Sequence, residues 1–133
     1  RGVSAFFLDG GCHCGALRFR VHLEAREAIE CNCSICTKKG YLHLIVPADR
    51  FEVLEGDEDA LETYTFGTGT AKHHFCWRCG CAPWYVPRSH PGGFDVNVRC
   101  LDEVAEQGLG DWTIAPFDGR HWEENVASIR EEE

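Results

Sequence analysis

Nine cysteines occur in 133 residues, and they are clustered. Cys12 and Cys14 form one group, Cys31, Cys33 and Cys36 a second, Cys76, Cys79 and Cys81 a third, and Cys100 stands alone. A bridge inside a C-x-C pair is strained, because disulfides prefer Cα separations of about 5.5–6 Å. Longer-range pairing of an odd number leaves one thiol over. Tight clusters in residues that carry no signal-peptide pattern fit metal binding better than oxidative stapling.

The rest of the composition is that of a soluble globular domain, with 44% hydrophobic and 26% charged residues. The length predicts a single domain over 1–133. No apolar run approaches the ~20 residues of a membrane helix. Thirteen basic against 22 acidic residues give a formal charge of −9, which repels a phosphate backbone and disfavours nucleic-acid binding. Retained thiols favour the cytoplasm or the nucleus. The start at Arg1 and the lack of Met lead us to expect a trimmed or truncated piece.

Hydrophobic periodicity predicts mostly short strands. Leu17, Phe19, Val21 and Leu23 alternate with Arg18, Arg20 and His22, the period of a half-buried strand. Residues 41–46, 51–53, 61–66 and 84–86 read as further strands, with turns at Gly56–Asp57 and Gly67–Gly69. Phe94, Val96, Val98 and Cys100 alternate with Asp95, Asn97 and Arg99 in another. Residues 1–10 read as a lead-in to a turn at Gly10–Gly11, 24–30 as a polar connection, and 101–119 as irregular. Cys33–Lys39 predicts one helical turn stopped by Gly40. Trp122, Val126 and Ile129 predict one C-terminal amphipathic helix.

The clusters divide by ligand number. Closed structural zinc sites take four ligands, and catalytic sites take three and keep one position open. Cys76–Cys79 followed by Gly80 makes a knuckle, and Cys12–Cys14 followed by Gly15 is its complement. Together they supply four thiolates. Cys31, Cys33 and Cys36 supply three and predict an open site, where chemistry would occur. Cys81, Cys100 or a histidine closing that site, or a metal-free redox switch, are the alternatives. His13 reads as solvent-facing and His43 as a hydrogen-bonded core residue. One of His73 and His74 is a candidate thiolate partner, and His90 a candidate ligand contact.

Three segments in order, GGCHCGALRF (10–19), CNCSIC (31–36) and FCWRCG (75–80), resemble the glutathione-dependent formaldehyde-activating enzyme family. YVPRSHPGGF (85–94) and CLDE (100–103) are similar to its centromere protein V branch. The resemblance implies a mostly β, zinc-stabilised, Mss4-like domain of short antiparallel strands. It implies two zinc ions per chain: a structural one on Cys12, Cys14, Cys76 and Cys79, and a catalytic one on Cys31, Cys33 and Cys36. It implies a carbon–sulfur lyase that joins glutathione, or a similar thiol, to formaldehyde or a small aldehyde, giving S-hydroxymethylglutathione. The alternative in the centromere protein V branch is a non-catalytic, zinc-stabilised interaction module. Lys38, Lys39 and Arg88 are candidates for the carboxylates of an anionic thiol, and Trp84 and Tyr85 for the pocket wall.

Overall fold

The computed structural model describes residues 5–56, 60–69, 71–121 and 124. The expected C-terminal helix, with Trp122, Val126 and Ile129, lies outside the described residues. The described residues form ten strands and two short α-helices, so the domain is mostly β as expected. Among the described residues, no helix is long and apolar enough to cross a membrane.

One sheet pairs β1 (Phe6–Gly11), β2 (Arg18–Leu23) and β5 (Phe51–Glu55) in the order β1-β2-β5. On β2 the alternation holds. Phe19, Val21 and Leu23 are buried, while Arg18 pairs with Asp102, Arg20 with Asp9 and His22 with Glu52 on the other face. The second sheet runs β10-β3-β4-β9-β8, built from β3 (Glu27–Cys31), β4 (Leu42–Pro47), β8 (Trp84–Tyr85), β9 (Gly93–Asn97) and β10 (Thr113–Phe117). A hairpin of β6 (Leu61–Tyr64) and β7 (His73–Cys76) completes the strands. Phe19, Phe51 and Trp84 meet at the core with ring centroids 5.3–6.0 Å apart, so Trp84 is core.

Several expectations are corrected. The lead-in is β1, paired with β2 through Gly11. Gly10 is there for close approach, since a Cβ would lie 2.9 Å from Leu101 Cα and inside the Cys100 carbonyl. The polar stretch before Cys31 is β3, with Ala28 buried between exposed Glu27 and Glu30. The segment 101–119 contains α2 (Asp102–Gln107) and β10. β10 runs parallel to β3, so the strands are not all antiparallel. It is an edge strand, which is where Pro116 can sit without breaking a ladder.

The strand through Phe94 stops at Asn97 and turns into a 3-10 segment, Val98–Cys100. Its predicted outward face is inside: Asp95 is 1% exposed and Asn97 7%. β9 lies between β4 and β8, so its polar residues need partners. Asn97 accepts hydrogen bonds from the Leu42 and Arg99 backbone N–H groups and donates to the Ala82 carbonyl.

Candidate metal centres and the adjoining cavity

Two thiol clusters form where the spacing placed them. Cys12, Cys14, Cys76 and Cys79 have ligand atoms all within 4.8 Å of one another. Cys12 and Cys14 Sγ lie 3.7 Å apart, as do Cys14 and Cys76 Sγ. A tetrahedral zinc with Zn–S bonds of 2.3 Å needs sulfurs about 3.8 Å apart, so the donor set fits that ion.

Both knuckles close in the same way. Gly15 N–H donates to the Cys12 carbonyl and Gly80 N–H to the Cys76 carbonyl, with φ of 86° and 80°. That left-handed backbone favours glycine. The Cys79 thiol stands at about 6: burial pushes it up, but hydrogen bonds from the Cys81 and Cys14 backbone and the Cys12 and Cys76 side chains outweigh it. Cys81 and Cys100 join neither cluster. Burial raises both, Cys100 to about 12.

The second cluster is Cys31, Cys33 and Cys36, again within 4.8 Å, and no fourth Cys, His, Asp or Glu among the described residues joins it. Cys31 ends β3, and Cys33 caps the N-terminus of α1 (Ser34–Lys39), on whose inner face Cys36 is buried. Gly40 stops α1 at φ 66°, as predicted. Three sulfurs this close cannot all hold protons independently. The Cys33 thiol is pulled far below its ordinary value by hydrogen bonds from Cys31 and then Cys36. Cys31 is raised first by Cys33, and Cys36 first by Cys31. A soft divalent cation removes that conflict, so this donor set also fits zinc.

His43 is buried and hydrogen-bonded, as expected, but its partners belong to the site. Its Nε2 lies 3.1 Å from Cys36 Sγ, and its Nδ1 lies 2.6 Å from Asp95 Oδ2. The thiolate partner is therefore His43 rather than His73 or His74. Asp95 Oδ1 is the only buried side-chain N or O atom among the described residues without a hydrogen-bond partner. Tyr41 donates its hydroxyl to the Asp95 carbonyl at 2.5 Å.

A cavity of about 220 Å³ opens over the trio. Cys31, Cys33, Cys36, His43 and Asp95 line its thiol end, and Ile29, Ile35, Ile45, Phe66, Tyr85 and Phe117 its walls. Tyr85 is thus a wall residue, its phenol pushed well up by burial and then by the Asp95 charge. Arg88 and Ser89 also line it, whereas Lys38, Lys39 and His90 do not. His90 is buried and bonded to Ser89. His13 is exposed. A second cavity, about 500 Å³, lies against Cys31 and Cys36 as well and includes Arg99 and Glu30.

The residues missed by sequence reasoning hold the trio from outside. Asn32, between Cys31 and Cys33, donates to Asp118, accepts from the Arg120 N–H, and receives Arg120 Nε at its own carbonyl. Its N–H reaches the Phe117 carbonyl. Gly119 lies over Cys31, where any Cβ would overlap the sulfur and come within 3.2 Å of Cys33 Cβ. Asn32→Ala should therefore weaken metal binding at the trio about 10–100-fold. Competition with a chromophoric chelator measures this, and unchanged affinity would show that the clamp is irrelevant.

His73 stacks on Tyr85 at 4.7 Å and on Phe66 at 5.3 Å. Burial lowers its pKa to about 4. The folded imidazole stays neutral while the unfolded one takes a proton below about 6.5. Stability from this group is complete above pH 6.5 and falls as pH drops towards 4. The measurement is the difference in denaturant midpoint between the wild type and His73→Phe across that window. A difference independent of pH would contradict the assignment.

The fold and its sites define a class: a small, mostly β domain with two cysteine clusters able to hold metal ions, one joining the turn after β1 to the end of β7 and one beside a cavity. Residues 7–113 match the glutathione-dependent formaldehyde-activating enzyme family, and the chain belongs to that family. A Halomonas elongata protein, provisionally named a glutathione-dependent formaldehyde-activating enzyme, is 37% identical in an alignment of 90 residues that covers 61% of this chain and 57% of that relative. The chain thus spans little more than half the length of this relative. A crystal structure of a Rhodobacter sphaeroides protein superposes with a TM-score of 0.69 at 35% identity, covering 81% of this chain and all of that one.

Proposed function

We propose that the domain is a zinc-dependent carbon–sulfur lyase that joins glutathione, or a similar thiol, to formaldehyde or another aldehyde at Cys31, Cys33 and Cys36. The observation that carries this reading is a three-thiol cluster facing a cavity with no fourth protein ligand among the described residues. Family membership supports the substrate pair. A zinc ion held by Cys31, Cys33 and Cys36 would carry one net negative charge with its ligands, and would supply thiol activation in preference to carbonyl polarisation.

The chain's own residues supply the setting. Asp95 fixes the His43 ring through Nδ1, and His43 in turn fixes Cys36 Sγ. The apolar walls exclude water, and Arg88 brings a positive charge to the cavity. The other cluster, Cys12, Cys14, Cys76 and Cys79, binds the structural zinc in this reading, which makes two ions per chain. The test is proton NMR of glutathione and formaldehyde with zinc-loaded protein. S-hydroxymethylglutathione should form or dissociate faster than the spontaneous exchange, and equal rates would overturn the reading.

A further inference from the structure

The cavity over the trio is much larger than formaldehyde. A water molecule's share of liquid volume is about 30 Å³, and the cavity offers about 220 Å³. A two-heavy-atom aldehyde would leave most of it empty or filled with badly bonded water. The surplus space is mostly apolar: Ile29, Ile35 and Ile45, with Phe66 and Phe117, face it, Arg88 and Ser89 add polar lining, and Asp95 and His43 gather at the thiol end. An aldehyde has the same polarity, with a polar carbonyl head and an apolar tail.

The charged body of glutathione does not belong against those walls, because burying a charge without a partner is costly. The trio offers it another flank. Cys31 and Cys36 also line the 500 Å³ cavity, with Glu30, Asn32 and Arg99 around it. Arg99 is exposed. Cys31 and Cys36 line both cavities, so two reactants can approach the trio from different sides.

We infer that the aldehyde taken by the smaller cavity carries an apolar chain of about four to six carbons, its tail lying against Ile29, Ile35, Ile45 and Phe66 and its carbonyl at the thiol end. This rests on the thiol–aldehyde reading above. The reaction balances without a further reactant. The S–C bond forms as the C=O π bond breaks, and the thiol proton ends on the former carbonyl oxygen, giving a hemithioacetal. Each methylene added inside the cavity should improve binding about fourfold, from about 0.8 kcal/mol per buried CH₂.

The experiment has two arms on zinc-loaded protein. In the first, kcat/KM with glutathione is measured for the straight-chain aldehydes from acetaldehyde through pentanal to octanal, each divided by its own uncatalysed rate. The ratio should rise about fourfold per carbon and level off when the cavity is full. In Ala71→Phe, which adds a ring at the cavity wall, the pentanal-to-acetaldehyde ratio should fall at least tenfold. In the second arm, ethanol to 1-pentanol are titrated as unreactive probes and followed by NMR shifts, with affinity rising by the same step.

A flat or falling series in both arms, with formaldehyde still turned over, overturns the inference and leaves the thiol–aldehyde reading standing. Rising alcohol affinity with no turnover of any aldehyde overturns the thiol–aldehyde reading and the inference's aldehyde, leaving only an apolar-ligand cavity.

Discussion

Replacing Cys33 by alanine brings catalysed adduct formation down to the spontaneous rate while the domain stays folded. Cys33 has the smallest structural duty of the trio. It contributes its carbonyl to the first turn of α1, accepting from the Thr37 N–H at 2.9 Å, and alanine keeps that bond. Its side chain makes no capping hydrogen bond, whereas Cys36 is buried against His43. Removing residues that merely orient a ligand costs 10–100-fold in metal affinity or activity, and a ligand should cost more. A loss of at least ~100-fold is therefore expected, with circular dichroism unchanged. A Cys33→Ala protein as active as the wild type would remove the trio from the chemistry.

Replacing Cys76 by serine has the opposite profile, because the domain itself fails. Cys76 is completely buried, belongs to the core, and pairs with Leu61 across the β6–β7 hairpin. Its sulfur meets Cys14 from 62 residues away in sequence. An ion there would join the knuckle after β1 to the knuckle at the end of β7. Structural zinc contributes on the order of 10 kcal/mol of binding free energy, comparable to the whole stability of an ordinary domain. Cys76→Ser should lower the melting temperature by at least ~15 °C. A strong chelator should do the same to the wild type slowly. A melting curve unmoved by both would show that the hydrophobic core alone holds the fold.

The contrast between these two variants follows from what the sequence made legible. Cysteine spacing separated the four-thiol and three-thiol clusters, because C-x-C and C-x-x-C turns are local and the following Gly15 and Gly80 carry the necessary backbone. Clean alternation gave β2, whose charged face finds partners at Asp9, Glu52 and Asp102. The helical turn ending at Gly40 was equally local. Elements whose burial depends on distant neighbours were hidden. β3 is short and carries Glu27 and Glu30, and β10 contains Pro116, so neither shows a strand period strong enough to read.

The same limit hid part of the site. Asp95 alternates with apolar residues as a solvent-facing residue would, and only the placement of β9 between β4 and β8 turns it inward to meet His43. Asn32 looks like a spacer between two ligands until the segment after β10 folds over it. Gly119 is one glycine among fourteen in the sequence; its position over Cys31 is a long-range contact that no local pattern encodes. Family resemblance carried the metal and the substrate pair further than composition or periodicity could.

The proposed chemistry depends most on the coordination of the ion that Cys31, Cys33 and Cys36 would hold. Diffraction at the zinc absorption edge from crystals of fully loaded protein measures it directly. The expected map shows two zinc peaks per chain, one with four cysteine sulfurs and one with three and a non-protein fourth ligand facing the cavity. No peak at the trio, or a fourth side chain such as His43 completing its tetrahedron, would contradict the account.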